Sequence, residues 1–220
     1  MKKIRAIPTQ YNGYKFRSRL EARWCVFFDL IGIDYEYEPE GFYLSDGRKY
    51  LPDFRVTNCD GSQIYYEVKR KNSKGDGKLE CLIKDLEESL EYDHNTGEPK
   101  TNFVFGEVLS GDPVDVLLNG NYGICPRCLI IEYDSKLHVG SIDLNNDDWF
   151  EGYCFNCDVY GDRDKEMCEK GYEYFVREGD ISIDTLNDKF MFKRMIVKAA
   201  NKARAVRFEH GENPKVYGGI

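Results

Sequence analysis

Asp53, Glu67 and Lys69 are the residues of this sequence whose types and spacing could do chemistry together. Asp53 follows Pro52 inside Lys49–Val56, and Glu67 and Lys69 flank Val68 at the end of Ile64–Lys69. Both segments are rich in aromatic and β-branched residues, with Asp60-Gly61 between them, and so read as a hairpin. Alternation along a strand puts Glu67 and Lys69 on one face and Val68 on the other. If Val56 pairs with Ile64, Asp53 stands opposite Glu67 and the three polar groups converge. That register needs an odd number of loop residues. A two-residue turn at Asp60-Gly61 would oppose Asp53 to Val68 instead, so a longer or bulged loop is predicted.

Two acids and an amine on one face of apolar strands are costly unless they bind something. Carboxylate oxygens suit Mg²⁺, or Mn²⁺ in its place, with water and phosphate completing the shell. Such an ion would make a bound water more acidic and offset charge on a phosphate, with Lys69 beside the attacked group. The plain alternative is a structural ion pair between Glu67 and Lys69. Separately, Cys125-Pro-Arg-Cys128 and Cys154-Phe-Asn-Cys157 form two C-x-x-C knuckles. Two knuckles supply the four thiolates of a closed structural Zn²⁺ site, and Leu129–Tyr133 with His138–Ile142 could form a hairpin between them. An iron–sulfur cluster is the other metal reading. Cys25, Cys59, Cys81 and Cys168 lack such pairing, and His94, His138 and His210 carry no assignment.

Several elements must position these groups. Leu20, Trp24, Phe27, Phe28 and Ile31 form one apolar stripe, which predicts a helix over 18–31 ended by Gly32. Ser18-Arg-Leu-Glu21 fits a capping box at its start, while Glu21 lies at the edge of the stripe where it could also reach the sheet. Tyr35–Glu38 reads as an edge strand with Glu36, Glu38 and Glu40 on its wet face. A second helix is predicted over Lys78–Glu91 and a short strand at Phe103–Phe105. A last helix is expected from about Asp184 to Phe208, with Phe192, Ile196, Ala199, Ala203 and Val206 on one side, docked on the sheet. This order gives a mixed α/β sheet.

The net charge of −8 does not advertise a nucleic-acid binder, yet the basic residues are grouped. Residues 1–24 hold seven Lys or Arg against Glu21 alone, and residues 187–208 hold seven against Asp188 alone. Candidate phosphate contacts are Arg17 and Arg19 at the first helix, Arg70 and Lys71 after the second hairpin strand, and Lys198, Lys202, Arg204 and Arg207 on the last helix. Acids at 143–151 and 158–169 argue against the cysteine region as a strong phosphate binder. No run approaches a membrane span, and the basic start lacks an apolar segment, so a cytoplasmic, reduced setting is expected.

Phe16-Arg-Ser-Arg-Leu-Glu21-Ala-Arg-Trp24, Tyr37-Glu-Pro-Glu-Gly-Phe42, Tyr50-Leu-Pro-Asp-Phe54 and Glu67-Val-Lys69 together resemble phage and mobile-element nucleases of the PD-(D/E)XK superfamily. Their order is similar to that of phage Holliday-junction resolvases, and Ala-Arg-Ala-Val-Arg-Phe-Glu-His-Gly at 203–211 resembles the closing helix of that group. The resemblance implies a restriction-endonuclease-like fold: a mixed β-sheet flanked by helices, here with a small zinc-ribbon insertion. It implies metal ligands at Glu21, Asp53, Glu67 and the Val68 carbonyl, with Lys69 as catalytic amine. The organisation expected is a nuclease core over 1–118, a zinc ribbon over 119–160, and a C-terminal segment with a helix packing back on the core over 161–220. The substrate expected is DNA, duplex or branched, with RNA left open and a homodimer left open. A non-catalytic nucleic-acid-binding zinc protein on a nuclease scaffold is the alternative.

Overall fold

In the computed structural model of the chain, the described residues are 6–57, 62–73, 75–90, 104–118, 122–124, 131–133, 142–143 and 189–208. The fold is mixed α/β, with a mixed sheet flanked by helices. A hairpin of β1 (Thr9–Tyr11) and β2 (Tyr14–Phe16) leads into α1 (Arg19–Ile31). The central sheet holds β3 (Tyr35–Tyr37), β6 (Phe54–Thr57), β7 (Gln63–Lys69) and β8 (Val104–Ser110), in the order β3-β6-β7-β8. The first two pairings are antiparallel, and β7 with β8 is parallel. That last pairing needs a crossover, and α2 (Lys78–Glu88) lies in the connection. Among the described residues no helix is long and apolar enough to cross a membrane.

Each face of the sheet has its own core. On one face α1 buries Trp24, Phe27, Phe28 and Ile31 against Phe54, Ile64 and Tyr66. Phe28 meets Phe54 edge-on at 5.4 Å and Tyr66 at 6.0 Å between ring centroids. Each such side chain removed from water contributes roughly 1.5–3 kcal/mol. Ser18 caps the helix, and Gly32 ends it in the left-handed conformation (φ 76°) that a side chain would resist. On the other face α2 sets Leu79 and Leu82 against Leu44, Tyr50, Tyr65 and Val104. Gly106 permits that approach, since a Cβ there would lie 2.6 Å from Ile83 Cγ1.

The strand expected over Lys49–Val56 is divided. β5 (Lys49–Tyr50) pairs with β4 (Phe42–Tyr43) in a separate two-stranded sheet, and only Phe54–Thr57 joins the central sheet. Pro52, which has no N–H to donate, stands at the break. The strand expected at Phe103–Phe105 extends to Ser110, and a short α3 (Pro113–Leu117) follows. α4 (Lys189–Ala205) buries Ile196, Ala199, Ala200 and Ala203. It docks chiefly on α1 and α3, not on the sheet as expected, because α1 already covers that face.

Three strands of the expected ribbon region are described. β9 (Tyr122–Ile124) sits between β10 (Ile131–Tyr133) and β11 (Ile142–Asp143), so β10 and β11 each pair with β9 rather than with one another. Ile131 is buried in the main core, and its N–H donates to the Tyr66 hydroxyl at 3.1 Å. Cys125, Cys128, Cys154 and Cys157 lie outside the described residues, as do Cys59, Cys168 and all three histidines.

Candidate active site

The register of the central hairpin decides where the acids point. Val56 pairs with Ile64 and Thr57 with Gln63, which leaves residues 58–62 as the loop. An odd loop therefore sets the convergent register, and Asp53 continues the ladder by donating its N–H to the Tyr66 carbonyl at 3.2 Å. Asp53 and Glu67 are each 6% exposed. Asp53 Oδ2 accepts from the Val68 N–H at 2.7 Å. The Lys69 carbonyl accepts from Gly111 on the β8 side, so alternation turns the N–H and C=O of Val68 toward Asp53. Lys69 Nζ lies 2.5 Å from Glu67 Oε1. The other oxygen of Glu67, Oε2, is buried and has no hydrogen-bond partner among the described residues.

Glu21 arrives from the first turn of α1. Its Oε1 accepts from the Ser18 hydroxyl at 2.7 Å, and its Oε2 from the Tyr37 hydroxyl at 2.6 Å and the Arg17 N–H at 3.0 Å. Ser18 Oγ in turn accepts from the Glu21 N–H at 3.2 Å. Of the capping box inferred from Ser18-Arg-Leu-Glu21, the bond from the Glu21 N–H to Ser18 Oγ is made, while the Glu21 carboxylate reaches back to the Ser18 hydroxyl and the Arg17 N–H and is buried. Arg17 ties the two halves together. Its guanidinium bonds Asp53 Oδ1 through Nη2, while Nε lies 2.7 Å from Glu38 Oε1. Glu38 is held in a left-handed conformation (φ 47°), rare for a residue with a side chain and rarer before proline. Its N–H donates to the Asp53 carbonyl at 2.9 Å. Glu36 and Glu40 face solvent and pair with Arg55 at 2.9 and 2.8 Å.

Burial pushes the Asp53 carboxyl up to about 6, and the nearby charges of Glu21 and Glu67 add to it. The Val68 N–H and Arg17 work in the opposite direction and do not win. Burial also raises the Tyr37 phenol, as does its bond to Glu21, so it stays a donor. A group of repelling carboxylates, one with an oxygen that has no partner among the described residues, fits a hard cation. Asp53, Glu67 and the Val68 carbonyl could hold it. Among the described residues no three His, Cys, Asp or Glu side chains are gathered as a complete ligand set. Mg²⁺ ordinarily takes one or two carboxylates and keeps several waters.

The basic residues divide by surroundings. Arg17 is at the site itself. Arg19 is half-buried at the start of α1, and Arg70 is exposed just past Lys69. Lys71 pairs with Asp115 at 2.8 Å. Arg204 holds Asp112, the cap of α3, through Nε at 2.7 Å and Nη2 at 2.5 Å, and reaches Asp115 at 2.8 Å. These bonds make Arg204 a fastener between α4 and α3. Lys198 and Arg207 are exposed, and Lys202 is half-buried.

Tyr37, Glu38 and the role of Arg17 at Asp53 were missed in the sequence. The Glu-Pro-Glu segment was the available signal for Glu38, but the positive φ that aims it at Arg17 cannot be read from residue types. No family model, curated protein or solved structure matches the chain.

Proposed function

We propose that the chain is a divalent-cation-dependent endonuclease of the PD-(D/E)XK type that hydrolyses DNA phosphodiester bonds and comes from a phage or mobile element. The observation that carries the reading is the meeting of Asp53, Glu67 and Lys69 at one sheet end, with a buried Glu67 oxygen that has no partner among the described residues. Mg²⁺ held by Asp53, Glu67 and the Val68 carbonyl would acidify a water and offset charge on the phosphate. Lys69, bonded to Glu67 and half-buried, delivers positive charge to a phosphate oxygen at the rim. Glu21 keeps Asp53 in a negative setting that favours a cation. Arg17 exchanges Asp53 for a phosphate oxygen when a cation takes that carboxylate, with Glu38 retaining its Nε. Arg70 and Lys198 extend the basic surface. Zinc on Cys125, Cys128, Cys154 and Cys157 holds the cysteine region as a structural ion.

One observation favours the second reading, a nucleic-acid-binding protein without catalysis: Arg17 already occupies one oxygen of Asp53. An assay separates the two. Purified protein is offered duplex, single-stranded, flap and four-way-junction DNA, and RNA of matched sequence, with and without Mg²⁺ or Mn²⁺. The nuclease reading expects cation-dependent cleavage of at least one DNA form. Binding without cleavage under all conditions supports the scaffold reading. Cleavage of RNA alone moves the substrate to RNA.

A further inference from the structure

Tyr50 ends β5, three residues before Asp53 in the chain and only 6% exposed. Its ring packs with Tyr65, Leu79 and Leu82 in the core beneath α2. Alternation along β7 puts Glu67 and Lys69 on the same face as Tyr65. The Tyr50 hydroxyl is buried and bonds to nothing among the described residues, and Glu67 Oε2 shares that condition. Buried polar groups ordinarily find partners, and an unsatisfied one marks a place for water or an ion. Here two such groups of opposite kind belong to one neighbourhood. Burial raises the Tyr50 phenol, and among charges Glu67 and then Asp53 add most to the effect.

We infer that Tyr50 is a positioning residue of the cation site, holding one water between its hydroxyl and Oε2 of Glu67. A water suits this pair because it accepts from the phenol and donates to the carboxylate. Mg²⁺ and Ca²⁺ retain waters when bound to protein, so a cation held by Asp53 and Glu67 would accommodate this one in its shell. Tyr50 therefore fixes Glu67 from the α2 side, as Lys69 does through Oε1. The inference rests on the cation reading of Asp53 and Glu67.

The test is Ca²⁺ binding by titration calorimetry on the full chain, freed of divalent cations by gel filtration without chelator so that any thiolate-bound zinc remains. Ca²⁺ is the probe because it takes oxygen ligands and ignores thiolates. Tyr50→Phe should weaken Ca²⁺ binding roughly tenfold, the scale seen when a residue supporting a metal ligand is removed. Its melting temperature without divalent cation should equal or exceed that of the wild type, because the lost hydroxyl made no bond in the fold. Wild-type affinity in Tyr50→Phe overturns the inference. So does a drop in its cation-free melting temperature, which would reveal a structural partner. Asp53→Ala is the companion: it should abolish Ca²⁺ binding. If Asp53→Ala loses binding and Tyr50→Phe does not weaken it, only the Tyr50 inference falls. If the wild type binds no Ca²⁺, or Asp53→Ala binds as well as wild type, the cation site itself falls and takes the inference with it.

Discussion

Asp53 is a carboxylate removed from water beside two others, and its neighbours only partly offset that cost. Its folded value of about 6 lies above the ordinary 3.8. Between those values the folded protein holds a proton that the unfolded chain has lost. This group therefore favours the fold fully at low pH, loses that effect as pH rises toward 6, and penalises the fold above it. The shift corresponds to on the order of 2–3 kcal/mol. Asp53→Asn keeps an acceptor for the Val68 N–H and removes the buried charge. In buffer without divalent cations it should raise the melting temperature at pH 7.5 and leave it nearly unchanged at pH 4. Lower stability than wild type at pH 7.5 would mean that the bond to Arg17 outweighs burial. Asp53, Glu67 and Lys69 were legible as a group because strand alternation and one register assumption fix their faces. Arg17 at Asp53, and Tyr37 at Glu21, were not, since those contacts depend on how the β1–β2 hairpin meets the sheet edge.

Among the elements, α4 shows how a basic helix can spend its charge on the fold. Arg204 reaches Asp112, which is 8% exposed and caps α3. Removing the guanidinium leaves a buried carboxylate with, among the described residues, only the N–H groups of Val114 and Asp115. Arg204→Ala should therefore cost about 1–3 kcal/mol of stability, because an uncompensated buried charge is expensive. The salt dependence of DNA binding should stay as in wild type. Urea unfolding and a salt titration of binding check both halves. Unchanged stability with a flatter salt slope would return Arg204 to the phosphate-contacting set. Both long N-terminal helices were legible: 18–31 against the observed Arg19–Ile31, and 78–91 against Lys78–Glu88. Their apolar stripes and the Gly32 stop carry that information locally. The split at Pro52 was legible in principle, since proline marks where a strand leaves a sheet. Asp112-Pro113, a cap followed by proline at the first helical position, was the unused signal for α3. The choice of α1 and α3 as the seat of α4 is a tertiary matter that no stripe encodes.

At the scale of the molecule, the candidate site lies where β6 begins and β7 ends, and α1 reaches it from the side. Charge does not spread evenly: net −8 coexists with basic groups near that end. The four paired cysteines should bind about one zinc per chain. Elemental analysis checks this, and a chain carrying iron, or no zinc, contradicts it. A zinc closed off by four thiolates would not replace the hydrolytic cation, so cleavage should still need added Mg²⁺ with zinc in place. The central claim is that Asp53, Glu67 and Lys69 form one cation-dependent hydrolytic centre. The most direct measurement is single-turnover cleavage, in Mg²⁺, of a DNA that the wild type cuts, by Asp53→Ala, Glu67→Ala and Lys69→Ala, with folding checked by circular dichroism. Each variant should lose roughly a hundredfold or more in rate while staying folded and still binding DNA. Wild-type rates in a folded Asp53→Ala or Glu67→Ala protein would contradict the account.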